Sequence, residues 1–325
     1  MTDAAESPAR TGLTVVIPCY NEADNIQPSY REILAELGTL DLEIIYVDDG
    51  STDGTLEAIR RIAESDPRVQ YISFTRNFGF EAAFSAGYRY ASRPWILHID
   101  ADQQFPAAEA WVLIEAAEHG HDAVFGVRTN RQDPRLRRWG TAAFHYIGRR
   151  ILRIEIPRGA TAFRLVRSDL AREIVDLRLP TPYFLATVPR LTNRYTTVPV
   201  RHRPRTRGES KVGFGFLSAH AVELFVGFSS RPTTAASIGT LLSGLLALLL
   251  TAASAAGLVG GHAIAAMLLL LLAVVLFTLS LTVRHLVVLG GAQARPRQFY
   301  IRESTLPVRD DDRLCVTSRF LGATP

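Results

Sequence analysis

The chain has 325 residues, room for one or two domains, with 47% hydrophobic residues, a formal charge of +4 and a sequence pI near 9.3. A mean hydropathy of +0.10 is high for a purely soluble protein, and the excess lies late in the sequence. The basic balance does not make a nucleic-acid binder. No zinc finger, RNP-like motif or long basic helix is present, and the arginines cluster at 128–153 and 201–207, where anionic lipid or phosphate is the better-matched partner.

Met1 to Gly12 has no apolar core, so no signal peptide is expected there, and 1–12 reads as a disordered N-terminus. Thr14-Val15-Val16-Ile17-Pro18 is a strand that stops at a proline, followed by Cys19-Tyr20-Asn21-Glu22 and a helix from about Ile26 to Leu37. Leu42 to Val47 is a second strand, ending in the acidic, glycine-rich turn Asp48-Asp49-Gly50-Ser51-Thr52-Asp53-Gly54. A helix from Thr55 to Glu64 carries Leu56, Ile59, Ile62 and Ala63 on one face. Val69 to Phe74 is the third strand, Arg76-Asn77-Phe78-Gly79 opens another helix, and Trp95 to Ile99 and Asp122 to Val127 are the fourth and fifth strands. Strands alternating with helices predict a mostly parallel, doubly wound α/β sheet. Two cysteines, Cys19 and Cys315, fit a reducing compartment and lack metal-ligand spacing.

The fourth strand ends in Asp100-Ala101-Asp102-Gln103-Gln104. Ligands of open α/β sheets sit beyond the carboxyl ends of the strands, so two carboxylates one residue apart stand where chemistry is expected. Their hard oxygens suit Mg²⁺ or Mn²⁺, typically held by one or two carboxylates plus substrate phosphates. The alternative is a polar turn capping the next helix at Pro106. Glu22 and Asp49 recur at equivalent strand ends, where an ordinary cap or turn is the competing explanation. No Gly-x-Gly-x-x-Gly or Gly-x-x-x-x-Gly-Lys motif occurs, so neither a dinucleotide fingerprint nor a P-loop is supported.

Ala235 to Leu258 and Ala263 to Val283 carry no charge. About 20 apolar residues cross the bilayer core as a helix. Two such runs in succession predict a transmembrane hairpin (234–290) turning at Gly260-Gly261-His262, rather than buried core helices. Arg231 precedes it, Arg284, Arg295 and Arg297 follow, and the connector has no Lys or Arg. The positive-inside rule therefore predicts a multi-pass cell-membrane protein with its N-terminal region in the cytoplasm. Phe214 to Phe228, with Phe214, Leu217, Ala221, Leu224, Phe225 and Phe228 at helical spacing, reads as an interfacial helix or as one packed on the preceding domain. Residues 291–325 read as a partly disordered cytoplasmic tail.

Val16-Ile17-Pro18-Cys19-Tyr20-Asn21-Glu22, Val47-Asp48-Asp49-Gly50-Ser51-Thr52-Asp53 and Asp100-Ala101-Asp102-Gln103-Gln104 together resemble the family 2 GT-A glycosyltransferases. More narrowly, the chain resembles the polyprenyl- (dolichyl-) phosphate hexosyltransferases, through Arg76-Asn77-Phe78-Gly79, Gly126-Val127-Arg128 and Arg205-Thr206-Arg207-Gly208-Glu209-Ser210-Lys211 to the paired spans. The resemblance implies a GT-A domain over 13–228 that moves one hexose from a nucleotide sugar, GDP-mannose or UDP-glucose in type, to polyprenyl phosphate, with inversion. It implies that Pro18, Tyr20, Glu22, Asp49 and Asp100 hold the nucleotide. Asp100, Asp102 and Gln104 would bind Mg²⁺ or Mn²⁺ and the diphosphate, with Asp102 and Arg128 as catalytic residues. Arg128, Arg137, Thr141, Arg205, Ser210 and Lys211 would meet the acceptor phosphate. The implied partners are the nucleotide sugar, the polyprenyl phosphate and the membrane, with no nucleic acid; homo-oligomerisation stays open.

In one place the chain departs from this pattern. The family's Gly-Asp-Phe-Arg-Leu-like run is here Thr161-Ala162-Phe163-Arg164-Leu165, so Ala162 replaces a candidate catalytic base. A phosphomonoester has a second pKa near 6 and needs no base at neutral pH, whereas an alcohol acceptor does. The loss fits a lipid-phosphate acceptor or, alternatively, a catalytically impaired membrane subunit. A processive polysaccharide synthase is a further alternative, but its Gln-x-x-Arg-Trp signature is absent and only two spans are present.

Overall fold

The computed structural model describes residues 11–128, 155–177, 183–203, 231–257, 260–294 and 298–313, together with Tyr146 and Arg150. Its centre is one eight-stranded sheet of order β7-β5-β6-β4-β1-β2-β3-β8. The strands are β1 (Leu13–Cys19), β2 (Leu42–Asp48), β3 (Val69–Phe74), β4 (Trp95–His98), β5 (Ala123–Arg128), β6 (Ala160–Arg167), β7 (Tyr195–Val200) and β8 (Ile301–Ser304). β1 pairs in parallel with β2 and β4, β2 with β3, and β5 with β7. β6 is antiparallel to both β4 and β5, and β8 is antiparallel to β3. The sheet is thus mixed, with six strands running one way and β6 and β8 reversed.

Helices cover both faces, which is why β1 and β2 read as unbroken apolar runs instead of alternating ones. On one face, Val15 and Ile17 of β1, Ile44 and Tyr46 of β2 and Leu97 of β4 pack with Ile26, Ile33 and Leu37 of α1 (Ala23–Leu37) and Ile59 of α2 (Thr55–Ser65). Leu113 and Ile114 of α4 (Ala110–Glu118) complete that layer. On the other, Val16, Ile45, Ile72 and Ile96 meet Phe84 and Tyr88 of α3 (Phe80–Tyr90), Ile174 of α5 (Ser168–Asp176) and Phe184 of α6 (Phe184–Leu191). Each such aliphatic or aromatic side chain, taken fully out of water, contributes about 1.5–3 kcal/mol. Gly87 lets α3 approach β1 closely: a Cβ there would lie 2.3 Å from Val16 Cγ1.

Two long helices follow, α7 (Arg231–Ala255) and α8 (Gly261–Ala294). Thr240 Oγ1 and Thr278 Oγ1 are 2.6 Å apart, which sets the start of α7 beside the later part of α8, an antiparallel hairpin. Thr234–Ala255 and Ile264–Val283 are long and apolar enough to cross a membrane. They are not core helices of the sheet domain, since Leu241, Leu248, Leu269 and Phe277 are 65–74% exposed.

The chain after the hairpin departs from expectation. Within the stretch expected to be a partly disordered tail, residues 298–313 rejoin the sheet: β8 closes the β3 edge, and Phe299 stacks on Phe74 with centroids 5.0 Å apart. Arg60 Nε donates to Glu303 Oε1 at 2.9 Å, and Asp312 is buried against Arg89 and Tyr90 of α3. The sheet domain therefore includes residues on both sides of the hairpin. β6, β7, α5 and α6 were also absent from the predicted elements. The Phe214 to Phe228 segment lies outside the described residues.

Candidate active site

The sheet register gathers the site. Val16 pairs with Ile45 and with His98, and Cys19 with Asp48, so β1, β2 and β4 end along one edge. β5 ends there at Arg128, β7 at Val200, and reversed β6 begins there at Ala160. Six strands, β3 among them, end at this carboxyl edge, the place where open α/β sheets bind ligands.

The first two loops are tied together. Asn21, at a φ of 55°, donates its N–H to Ser51 Oγ at 3.0 Å and accepts the Thr52 N–H on Oδ1 at 2.9 Å. Glu22 N–H donates to Thr55 Oγ1 at 2.8 Å. Asp53 accepts the Thr55 N–H at 2.9 Å and the Ala23 N–H at 3.3 Å, joining the starts of α1 and α2. Asp48 is fully buried and accepts from Ser51 N–H and Ser73 Oγ. Asp49, 3% exposed, accepts the N–H groups of Phe78 at 2.6 Å and Gly79 at 2.9 Å. Burial pushes its carboxyl up to about 6, partly offset by those two hydrogen bonds. Gly50, at a φ of 67°, permits this approach, because a Cβ would lie 2.3 Å from the Arg76 carbonyl carbon. Pro18 and Tyr20 are half-buried at the end of β1, beside this double loop.

After β4 the chain makes a tight turn. Gln103 N–H donates to Asp100 O at 3.3 Å, Gln104 N–H to Asp102 Oδ1 at 3.2 Å, and Gln103 takes a φ of 54°. Asn21 and Gln103 are the non-glycine residues with positive φ among the described residues, and both lie in loops of this edge. Such conformations are uncommon for side-chain-bearing residues and concentrate at functional sites. Arg203 N–H donates to Gln104 O at 2.8 Å, which brings the segment after β7 against the turn. The Arg128 guanidinium lies 5.6 Å from the Phe105 ring centroid.

Asp100 and Asp102 both remain half-buried with access to solvent. Burial acts to raise the Asp100 carboxyl, but His98, Arg164 and Arg128 outweigh it and hold the group below its usual range. His98 is fully buried, and burial reinforced by the Arg164 charge holds its imidazole down at about 4. In the sequence alone His98 looks like one more residue of an apolar run.

A divalent cation is chemically matched to this turn. Asp100, Asp102 and Gln104 supply hard oxygens. Among the described residues no group of three or more His, Cys, Asp or Glu stands close enough to hold an ion, and a Mg²⁺-type site on this turn would take its remaining ligands from substrate phosphates and water. The sequence-predicted residues Pro18, Tyr20, Glu22, Asp49, Asp100, Asp102, Gln104 and Arg128 all fall at this edge. Arg137, Thr141, Arg205, Ser210 and Lys211 lie outside the described residues.

A mixed sheet covered by helices on both faces, with paired aspartates after β4 and acidic loops after β1 and β2, defines the GT-A class of transferase. Residues 14–175 match the model of glycosyl transferase family 2. A glycosyltransferase of Synechocystis sp. is 31% identical over 240 residues, 73% of this chain and 74% of that protein. The undecaprenyl-phosphate 4-deoxy-4-formamido-L-arabinose transferase of Pseudomonas syringae is 32% identical over 244 residues, 73% of this chain and 71% of its own. A prophage bactoprenol glucosyl transferase homolog of Escherichia coli is 36% identical over 165 residues, 50% of this chain and 54% of its own. The chain belongs to glycosyl transferase family 2 and is a glycosyltransferase.

Proposed function

We propose that this enzyme transfers one hexose from a nucleotide sugar to polyprenyl phosphate, releasing a nucleoside diphosphate and making a lipid-linked sugar donor for cell-envelope glycosylation. The observation that carries the reading is the meeting of Asp100 and Asp102 with Arg128 at one sheet edge, in a chain that also bears two exposed apolar helices. Relatives named for undecaprenyl phosphate and bactoprenol support the acceptor class.

Asp100, Asp102 and Gln104 would hold Mg²⁺ or Mn²⁺, which when bound neutralises charge on the departing diphosphate. The double loop carrying Pro18, Tyr20, Glu22 and Asp49 would seat the nucleoside. Arg128 would clamp the acceptor phosphate through charge-assisted hydrogen bonds, with Arg137, Thr141, Arg205, Ser210 and Lys211 further along the acceptor path. An acceptor oxygen attacks the anomeric carbon in line, and the bond to the diphosphate oxygen breaks with its electron pair leaving on the nucleotide. A dianionic phosphate needs no proton removed for this step, which fits alanine at position 162. Flanking arginines support a hairpin with both ends, and the sheet domain, on the cytoplasmic side.

The test is an assay of membranes with radiolabelled UDP-glucose and GDP-mannose. A chloroform-soluble, polyprenyl-linked product supports the reading, long polymer supports a processive synthase, and no product at all supports an impaired subunit. Asp102→Asn keeps side-chain size but removes the charge that holds a hard cation, so transfer should fall by orders of magnitude with the fold intact. Unchanged turnover in folded Asp102→Asn would overturn the metal site.

A further inference from the structure

Behind Asp100 lies a chain of buried polar groups that the transfer step does not use. Arg164 of β6 is almost wholly buried, with its guanidinium carbon 4.1 Å from the Phe184 centroid and 4.6 Å from that of Phe84. Its Nε–H donates to Tyr88 Oη at 2.6 Å. Tyr88 Oη lies 3.0 Å from His98 Nδ1. His98 Nε2 in turn lies 3.6 Å from Asp100 Oδ1, just beyond hydrogen-bond length, and has no hydrogen-bond partner among the described residues. His98 and Arg164 are direct cross-strand neighbours, so the sheet register itself fixes this order.

One direction of the chain gives the Tyr88 hydroxyl proton an acceptor and turns a donor, not a lone pair, toward the Asp100 carboxylate. A guanidinium can only donate, so the Tyr88 oxygen accepts from Arg164 and its single proton goes to His98 Nδ1. A neutral imidazole whose Nδ1 accepts carries its hydrogen on Nε2. That hydrogen faces the Asp100 carboxylate, whose Oδ1 is 3.6 Å from Nε2. Phe80 and Phe84, with ring centroids 5.3 and 5.8 Å from that of His98, keep the ring from turning away.

We propose that His98 is a positioning residue for Asp100, its Nε2–H engaging Oδ1 and leaving the second carboxylate oxygen directed to the nucleotide-bound cation, with Tyr88 and Arg164 selecting the tautomer. The inference rests on the proposed cation site at Asp100 and Asp102. A small rotation of the Asp100 side chain closes the gap and satisfies a buried donor that otherwise has no partner. Supporting partners of this kind orient metal ligands, and their loss typically weakens metal affinity or activity about 10–100-fold.

The experiment titrates Mn²⁺ into detergent-solubilised full-length protein with UDP or GDP present, reading free Mn²⁺ by EPR, with the Tm recorded for each variant. His98→Leu should weaken nucleotide-dependent Mn²⁺ binding about 10–100-fold. His98→Gln, whose amide nitrogen reaches the Nε2 position, should recover to within a few-fold. Tyr88→Phe frees the tautomer and should fall between them. Folded His98→Leu that binds Mn²⁺ like wild type, or His98→Gln as weak as His98→Leu, overturns the proposal. If His98→Leu does not fold, Tyr88→Phe decides alone, and wild-type affinity in that variant overturns it. Asp102→Asn separates the two readings. Wild-type protein whose Mn²⁺ binding is insensitive to Asp102→Asn removes the cation site and the proposal with it. Binding lost in Asp102→Asn but kept in His98→Leu removes the role of His98 alone.

Discussion

Arg89 of α3 and Asp312, 223 residues apart in the chain, form a buried ion pair with Nη1 3.0 Å from Oδ2 and side chains 7% and 9% exposed. Tyr90 Oη donates to the same carboxylate, and Arg89 also lies over the Phe299 ring. The segment beyond the hairpin is thus clasped to the helix that follows the Arg76–Gly79 loop. Tyr300 also accepts the Thr75 N–H at 3.0 Å, next to that loop. Segments before and after the hairpin in the chain thus belong to one sheet.

Removing one partner of a buried pair costs about 3–5 kcal/mol where the other charge is left uncompensated; Arg89 keeps the half-exposed Asp176 carboxylate at 3.6 Å, which sets the loss at the lower end of that range. Asp312→Ala should therefore lower the stability of the sheet domain by an amount of that order, measured by urea unfolding in detergent. Arg89→Met combined with Asp312→Leu should recover most of the loss, because apolar replacements of similar volume leave no orphan charge. If the double variant is no better than Asp312→Ala alone, the pair is not the source of the effect.

Glu81, in the first turn of α3, gives a pH dependence. Burial pushes its carboxyl up to about 8, with Arg164 pulling in the opposite direction. The folded-state value lies above the ordinary 4.5 of the free group, so the folded protein binds the extra proton between those limits. Wild-type stability should fall as pH rises from about 4.5 to about 8. Glu81→Gln, neutral throughout, should lack that slope. Its Tm relative to wild type should rise between pH 5 and pH 8.5, by the equivalent of roughly 4 kcal/mol. A constant difference across that range would mean that Glu81 ionises normally.

Arg128→Ala addresses the acceptor. A charge-assisted hydrogen bond to phosphate contributes about 1.5–3 kcal/mol, so the KM for polyprenyl phosphate should rise about 10–100-fold. Nucleotide-sugar binding, followed by calorimetry, should stay within about twofold of wild type. Equal loss in both measurements would place Arg128 on the donor side.

Ala162 sits on the same strand and face as Arg164, two residues nearer the carboxyl edge. Ala162→Asp would set a carboxylate near the proposed acceptor phosphate. With a dianionic nucleophile the added acid has no proton to take and repels the acceptor, so turnover should stay level or fall. A rise of tenfold or more would show that a base is needed and that the natural acceptor is an alcohol.

Local sequence determined much of this molecule. Val15 to Ile17 and Leu42 to Val47 are continuous apolar runs because both faces of the sheet are covered, and such runs announce interior strands without any knowledge of neighbours. Asp100 and Asp102 stand out because charge ends an apolar strand abruptly, and the uncharged stretches in α7 and α8 are legible from composition alone. The return of residues 298–313 to the sheet was decided by the fold. Ile301 to Ser304 is too short to signal a strand by pattern, and its partner Ile72 to Phe74 is more than 200 residues away. The same holds for β6, whose reversed direction brings Arg164 opposite His98. Seen in sequence, His98 is one polar residue in an apolar run and Arg164 one more arginine. Only packing that excludes water from both, and sets Arg164 Nε on Tyr88 Oη and His98 Nε2 beside Asp100, joins them to the site.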